Sequence, residues 1–292
     1  MNDFYCIYCG KNCEKKSEEH IIPESIGGNL IIDNVCETCN SNIGSKVDAK
    51  FVDSEYMLFL RYNYRDFLPK QYIPNFRVDI LLCLENSDEI IPGYINLSEN
   101  GIDFQTKFQK KYKSNRTTFY IPDTKEGKKA FERIKNSKNK KILNAEWLPL
   151  QNLPNKVYLT KKIKIPYTLE VFKMFLGYLA YKFSPDFALE IRFNSVRDFI
   201  QGNRSDLLNE YYEIRTGSST NQIFNANNIS HEIGFKNYNG YALFYVKLFD
   251  HLLFEINLKN ILKIIPVTSD RIYLKKKRHF QKHEIFQIIN IT

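Results

Sequence analysis

The residues able to do chemistry are concentrated near the start of the chain. They fall as Cys6-x-x-Cys9, Glu19-His20-Ile21-Ile22-Pro23 and Cys36-x-x-Cys39-Asn40. A CxxC turn presents two thiolates from one tight loop, and two such turns complete the tetrahedral set that zinc prefers. An iron–sulfur site or a redox pair is the other chemistry open to paired cysteines. The spare thiol Cys13 could replace Cys9, but the CxxC spacing favours Cys9, and Cys83 lies in an apolar run that reads as core. Cys9 and Cys36 are separated by 26 residues, longer than a simple zinc ribbon needs, so something is inserted between the knuckles. A histidine beside an apolar pair is more often a packed residue than a reactive one. Here a carboxylate precedes it, a proline follows, and Gly27-Gly28 leads on to a knuckle that ends in asparagine.

In this order, the elements resemble the HNH motif of the ββα-metal endonucleases: Asp/Glu-His-Ile-hydrophobic-Pro, a glycine pair, Cys-x-x-Cys-Asn, and a zinc-binding CxxC upstream. The resemblance implies a structural zinc on Cys6, Cys9, Cys36 and Cys39. It also implies His20 as the general base that activates water, with Glu19 and Asn40 holding a catalytic Mg²⁺ or Mn²⁺. The chemistry is coherent. An imidazole with an ordinary pKa near 6.5 can accept a proton at physiological pH, and a hard cation takes oxygen ligands such as a carboxylate and an amide. Adjacent residues of an extended segment diverge, so Glu19 and His20 can serve different partners. Two departures stand out. Ile31 occupies the place of the middle Asn or His, leaving Asn29 and Asn34 as candidates to brace the loop, with Asn34 preferred. Ile43 replaces the usual lysine, and Lys46 is the nearby cation able to contact phosphate.

These residues need elements to position them. Ile21-Ile22-Pro23 and Leu30-Ile31-Ile32 around the glycine pair predict a hairpin or Ω-like loop. Asn40 to Phe51 predicts a short helix with Ile43, Val47 and Phe51 on one face. So small a module has little core, and metal must stabilise it. Beyond it, strands are expected over Phe76–Leu84, Tyr94–Phe104, Thr117–Ile121 and Val157–Ile165, with a basic helix over Lys125–Ser137. The clearest helix carries Phe172, Phe175, Leu176, Leu179 and Phe183, capped by Thr168 and closed before Pro185. A short helix over Ser195–Gln201, a loop over Thr216–Ser230 and a hairpin of Tyr241–Phe249 with Leu252–Ile256 complete the reading. The expected class is α+β: a zinc-stabilised ββα module over 1–55, then a larger mixed α/β domain over 56–292 with an antiparallel sheet. That body also resembles longer bacterial HNH proteins, through Val171–Lys182 and Arg197–Ile200. The likeness suggests target recognition or regulation, and a setting in phage defence or restriction.

Charge divides along the chain. The net charge is +9, yet residues 1–55 hold 5 basic and 10 acidic residues, so the remainder carries +14. An acidic, metal-using head on a basic body suits a polyanionic partner, here DNA. Residues 107–141 hold 13 Lys or Arg against 3 Asp or Glu, interleaved with aromatics. Lys110, Lys111, Lys113 and Arg116 are the expected phosphate contacts, with Lys275–Arg278 as a second patch. The aromatics there are expected to face the core, with base-stacking as the alternative. The start of the chain lacks a signal-peptide layout and no apolar run is long enough to span a membrane, so a cytoplasmic protein is expected. Further partners expected are a second copy of the chain or another component of a defence system. A zinc-dependent nucleic-acid-binding protein without catalysis is the alternative.

Overall fold

The structure, a computed structural model, describes residues 3–83, 90–107, 109–113, 116–120, 125–136, 156–159, 167–205, 213–218, 229–258 and 266–277. Strands β1 (Phe4–Tyr5) and β2 (Asn12–Cys13) pair around the first knuckle. Strands β3 (Lys16–His20) and β4 (Ile31–Cys36) form the antiparallel hairpin expected from the two apolar pieces. The register slips between Ser17↔Val35 and Glu19↔Ile32, so two residues of β4, Asp33 and Asn34, oppose Glu18 alone. Such a bulge twists the ladder and re-aims its side chains.

The hairpin loop explains both glycines. Gly27 ends a 3-10 turn over Glu24–Ile26 at φ +96°, a conformation that costs other residues. A Cβ on Gly28 would lie 1.8 Å from the Ile22 carbonyl oxygen, so only glycine lets the loop close.

Helix α1 (Glu37–Ile43) starts one turn earlier than the apolar pattern suggests, because Cys36 caps it: its Sγ accepts from the Cys39 N–H at 3.4 Å. The helical run widens into a π turn over Gly44–Asp48 and ends in α2 (Ala49–Val52). Ile43, Val47 and Phe51 are all buried, as their spacing predicts. Helix α3 (Glu55–Asn63) follows and buries Tyr56, Met57, Phe59 and Leu60.

Next along the chain come β5 (Phe76–Cys83), β6 (Ile90–Ser98), β7 (Gly101–Thr106), β8 (Gln109–Lys113), β9 (Arg116–Tyr120), helix α4 (Lys125–Lys135) and β10 (Lys156–Leu159). The antiparallel order is β10-β5-β6-β7, with β8 and β9 a separate hairpin. The single strand expected over Tyr94–Phe104 is two strands, turning before Gly101 at φ +117°. Val78, Ile80, Ile95 and Leu97 are buried on the sheet, and the Arg77 guanidinium stacks 3.6 Å from the Tyr94 ring centroid.

Helix α5 (Thr168–Lys182) begins at the expected place, but Thr168 is its first helical residue and Tyr167 its cap, without a side-chain bond. It is followed by α6 (Pro185–Ala188), capped by Ser184, and α7 (Asn194–Ile200). Strands β11 (Glu213–Ser218), β12 (Ile229–Tyr238), β13 (Tyr241–Leu248), β14 (Leu252–Asn257) and β15 (Thr268–Leu274) form an antiparallel sheet in the order β11-β14-β13-β12-β15. The expected loop over Thr216–Ser230 therefore has strand at both ends, because Thr216 pairs with Phe254 and Ser230 with Tyr273. The residues from 219 to 228 lie outside the described part.

Every residue from Glu170 to Ala180 is buried. Phe175 packs edge-on against Phe244 and Phe235 of the five-stranded sheet, at 5.4 and 6.2 Å between centroids. Gly177 meets Tyr8 and Ile21 of the N-terminal module. A helix covered on all sides reads as apolar all round, which is the pattern of this segment.

Compactness divides the chain differently from the expected cut at residue 55. One unit joins Met1–Ile73 to Lys164–Lys282, and the other comprises Pro74–Ile163 with His283–Thr292. The cysteine module thus shares its unit with α5 and the five-stranded sheet.

Candidate metal centre and hydrolytic site

The two knuckles meet. The Sγ atoms of Cys6, Cys9, Cys36 and Cys39 all lie within 4.8 Å of one another. Zinc–sulfur bonds of about 2.3 Å place tetrahedral sulfurs about 3.8 Å apart, so the cluster fits such an ion after a small contraction. Cys6, Cys36 and Cys39 are buried and Cys9 is half-buried. The Cys36 N–H donates to Cys6 Sγ at 3.3 Å, and Gln201 Nε2 donates to Cys39 Sγ at 3.4 Å. The Cys39 side chain, with backbone donors and against burial, pulls the Cys6 thiol down to about 5. Cys6 and then burial push Cys39 up. Four sulfurs this close cannot all be thiolates without a cation among them. Cys13 is not one of these four sulfurs but borders them beside Cys36, with its thiol donating to the Lys11 carbonyl. The side chain of Cys83 lies outside the described part.

The hairpin brings the remaining motif residues to the same module. His20 ends β3 and is half-buried, and its ring makes no hydrogen bond among the described residues. Asn40, on α1, reaches back to β3: its Nδ2 donates to Ser17 Oγ at 2.6 Å and to the Glu18 carbonyl at 2.7 Å. The amide thereby ties helix to strand two residues before the histidine. Asn34 sits in the β4 bulge, where its carbonyl accepts from the Ile7 N–H of the first knuckle at 3.0 Å. Its bracing contact is therefore a main-chain one. Asn29 is exposed, as is Lys46 on the π turn.

Glu19 is placed elsewhere. It is 3% exposed, and its Oε1 lies 2.8 Å from Nζ of Lys173, which is fully buried on α5. The pair is close without being well aligned as a hydrogen bond. Lys173 also donates to Asp48 Oδ1 at 2.8 Å and lies 3.5 Å from Glu170 Oε1. Burial alone would lower the lysine, but Glu170, Glu19 and Asp48 together hold it above its ordinary range. Burial raises Glu19, with Lys173 opposing. Burial also raises Glu170 well above the usual carboxylate range. Neither Glu170 oxygen has a hydrogen-bond donor among the described residues, and the neighbouring Asp48 adds to the rise that burial causes.

A hydrated Mg²⁺ or Mn²⁺ keeps several waters, and it does not fit a carboxylate that is buried against an ammonium. The expected Glu19–Asn40 pair is therefore not an open metal site in this arrangement. Sequence reasoning passed over Asp48, Glu170, Lys173 and Ser17. A signal did exist in Glu170 and Lys173, the i,i+3 charges inside an otherwise apolar helix.

The expected phosphate contacts fall on the β8–β9 hairpin. Lys110 pairs with Phe119, Lys111 with Thr118, and Lys113 with Arg116. What their side chains touch lies outside the described part. Lys275, Lys276 and Lys277 are exposed beyond β15, and Arg278 falls outside the described residues.

A four-cysteine cluster beside a β-hairpin and a following helix makes a ββα module able to hold a structural metal. Residues 6–55 match the sequence model of a family described as HNH endonuclease. No curated protein and no solved structure matches the chain. The match covers the module and leaves 56–292 outside it. Among the described residues, no helix is long and apolar enough to cross a membrane.

Proposed function

We propose that the protein is an endonuclease that hydrolyses DNA phosphodiesters, with His20 as general base. The observation that carries this reading is the half-buried imidazole at the end of β3, beside a hairpin and helix that match the HNH endonuclease family. His20 takes a proton from water as the water oxygen bonds to phosphorus. The bond from phosphorus to the 3′-oxygen breaks, and that oxygen takes a proton from solvent water, leaving a 3′-hydroxyl and a 5′-phosphate. Asn40 holds α1 against β3, and Lys46 lies on an exposed turn where it can meet a phosphate. Structural zinc on the four cysteines would hold the hairpin's geometry. Lys110, Lys111, Lys113 and Arg116 are proposed to neutralise the backbone of the substrate. The proposed setting is phage defence or restriction in the cytoplasm, acting as a homodimer or with a defence-system partner. It rests on the resemblance of the body alone.

A second reading, a zinc-dependent nucleic-acid-binding protein without catalysis, is favoured by one observation: Glu19 is engaged by Lys173. Plasmid nicking with Mg²⁺, with Mn²⁺ and with EDTA separates the two. The endonuclease reading expects nicking by the wild type that His20→Ala reduces at least 100-fold, with zinc content and DNA binding retained. Nicking that survives the substitution removes His20 from the mechanism, and no nicking under any divalent ion supports the second reading.

A further inference from the structure

A fully buried lysine needs an explanation, because an ammonium leaves water only for strong partners. Lys173 has two at 2.8 Å, Glu19 and Asp48, and they belong to different halves of the candidate site. Glu19 precedes His20 on β3. Asp48 closes the π turn of the helical run that begins with α1 and carries Asn40. One ammonium on α5 therefore ties the strand of the base to the helix of the amide.

The neighbouring contacts point the same way. One turn along α5, Gly177 lets the helix approach until a Cβ would sit 3.2 Å from Tyr8 Oη and 3.4 Å from Ile21 Cγ1, directly after His20. Successive residues of a strand face opposite ways. A Glu19 held inward on Lys173 therefore turns His20 away from α5, consistent with burial of the one and half-exposure of the other.

We propose that Lys173 is a positioning residue for His20, acting through Glu19, so that Glu19 anchors the strand instead of holding a catalytic cation. This rests on the reading of His20 as base. It departs from the metal-ligand role that the motif implies for Glu19.

The test compares wild type, Lys173→Met, Glu19→Gln and the double variant, all as full-length zinc-loaded protein. Plasmid-nicking kcat and KM, Mn²⁺ affinity by electron paramagnetic resonance, and the NMR signals of the His20 ring are measured for each. Misplacing a reacting group by about 1 Å costs roughly 100-fold. Each single variant should lose about that factor in kcat, with KM and Mn²⁺ affinity unchanged and the His20 signals shifted alike in both. The double variant should be no worse than either single one, since both break the same tie. It also removes one positive and one negative charge together, so it serves if Lys173→Met alone does not fold. Loss of Mn²⁺ affinity in Glu19→Gln, or effects that multiply in the double variant, would return Glu19 to the metal and overturn the proposal. If the wild type nicks DNA under no condition, the endonuclease reading fails, while the His20 signals still decide the positioning. Unchanged signals in all three variants refute it.

Discussion

Two buried polar clusters hold the β3–β4 hairpin, and they are built in opposite ways. The thiolate cluster takes its four groups from residues 6 to 39, from two turns of the same motif. The carboxylate–ammonium cluster takes Glu19 and Asp48 from the module, but Glu170 and Lys173 from a helix more than a hundred residues later. The first offers four sulfurs to an ion from outside, and the second is completed by the chain itself. A local motif can thus carry its own scaffold when a metal supplies the binding energy. The strand that carries His20 here borrows a charge from the body of the protein.

Removing the ion should have the largest effect. Structural zinc contributes about 10–16 kcal/mol to the folding of small zinc modules, as much as a whole domain's stability. Chelation should therefore melt the module, read as loss of β3–β4 amide protection by hydrogen exchange. A module that keeps its protection without metal would put both clusters on the same footing.

Breaking the second cluster should cost less. Lys173→Met leaves the buried Glu19 and the partly buried Asp48 without their cation, a loss of about 3–5 kcal/mol, measured by urea unfolding. A change below about 1 kcal/mol would show that the pair is marginal and that apolar packing of α5 alone holds the module.

A third tie has a pH signature. His231 on β12 is fully buried, with Nε2 2.8 Å from the Ile26 carbonyl and Nδ1 accepting from the Phe249 N–H at 3.0 Å. Burial lowers its pKa to about 4, against 6.5 for a free histidine. Above pH 6.5 the folded and unfolded forms are both neutral, and this tie adds no pH dependence. As pH falls from 6.5 toward 4, the unfolded chain takes up a proton that the folded protein refuses, so stability falls by roughly 3 kcal/mol. His231→Gln should be less stable than wild type at pH 7, with the gap shrinking by pH 4.5 in urea titrations at both values.

The smallest effect is expected where the clusters share a supporting segment. Gln201, just past α7, donates to Cys39 Sγ and to the Tyr8 carbonyl, both at 3.4 Å. Gln201→Ala should weaken zinc binding by about 10–100-fold, by analogy with other groups that orient metal ligands, measured by chelator competition. No change would confine control of the thiolates to the module.

Much of this was legible in the order of residues. The CxxC spacing, the Gly27-Gly28 closure and the run Ile43, Val47, Phe51 report local geometry, because turn chemistry and helical period are properties of neighbouring residues. The capping of α1 by Cys36 extends the helix to Glu37 and was hidden, since a thiol doubling as ligand and cap leaves no separate signal. The break between β6 and β7 was legible in the Asn100-Gly101 turn after Ser98-Glu99 and was passed over. The tertiary structure alone decided what Glu19 does. By sequence it is the carboxylate beside a histidine, free to hold a metal. In the fold it is buried against Lys173, whose ammonium can leave water only where carboxylates from three segments converge. Thiolates, hairpin and helix follow from which residues are near in sequence. The partner of Glu19 follows from which are brought near in space, because a long-range charge pair has no period or spacing for the chain to display.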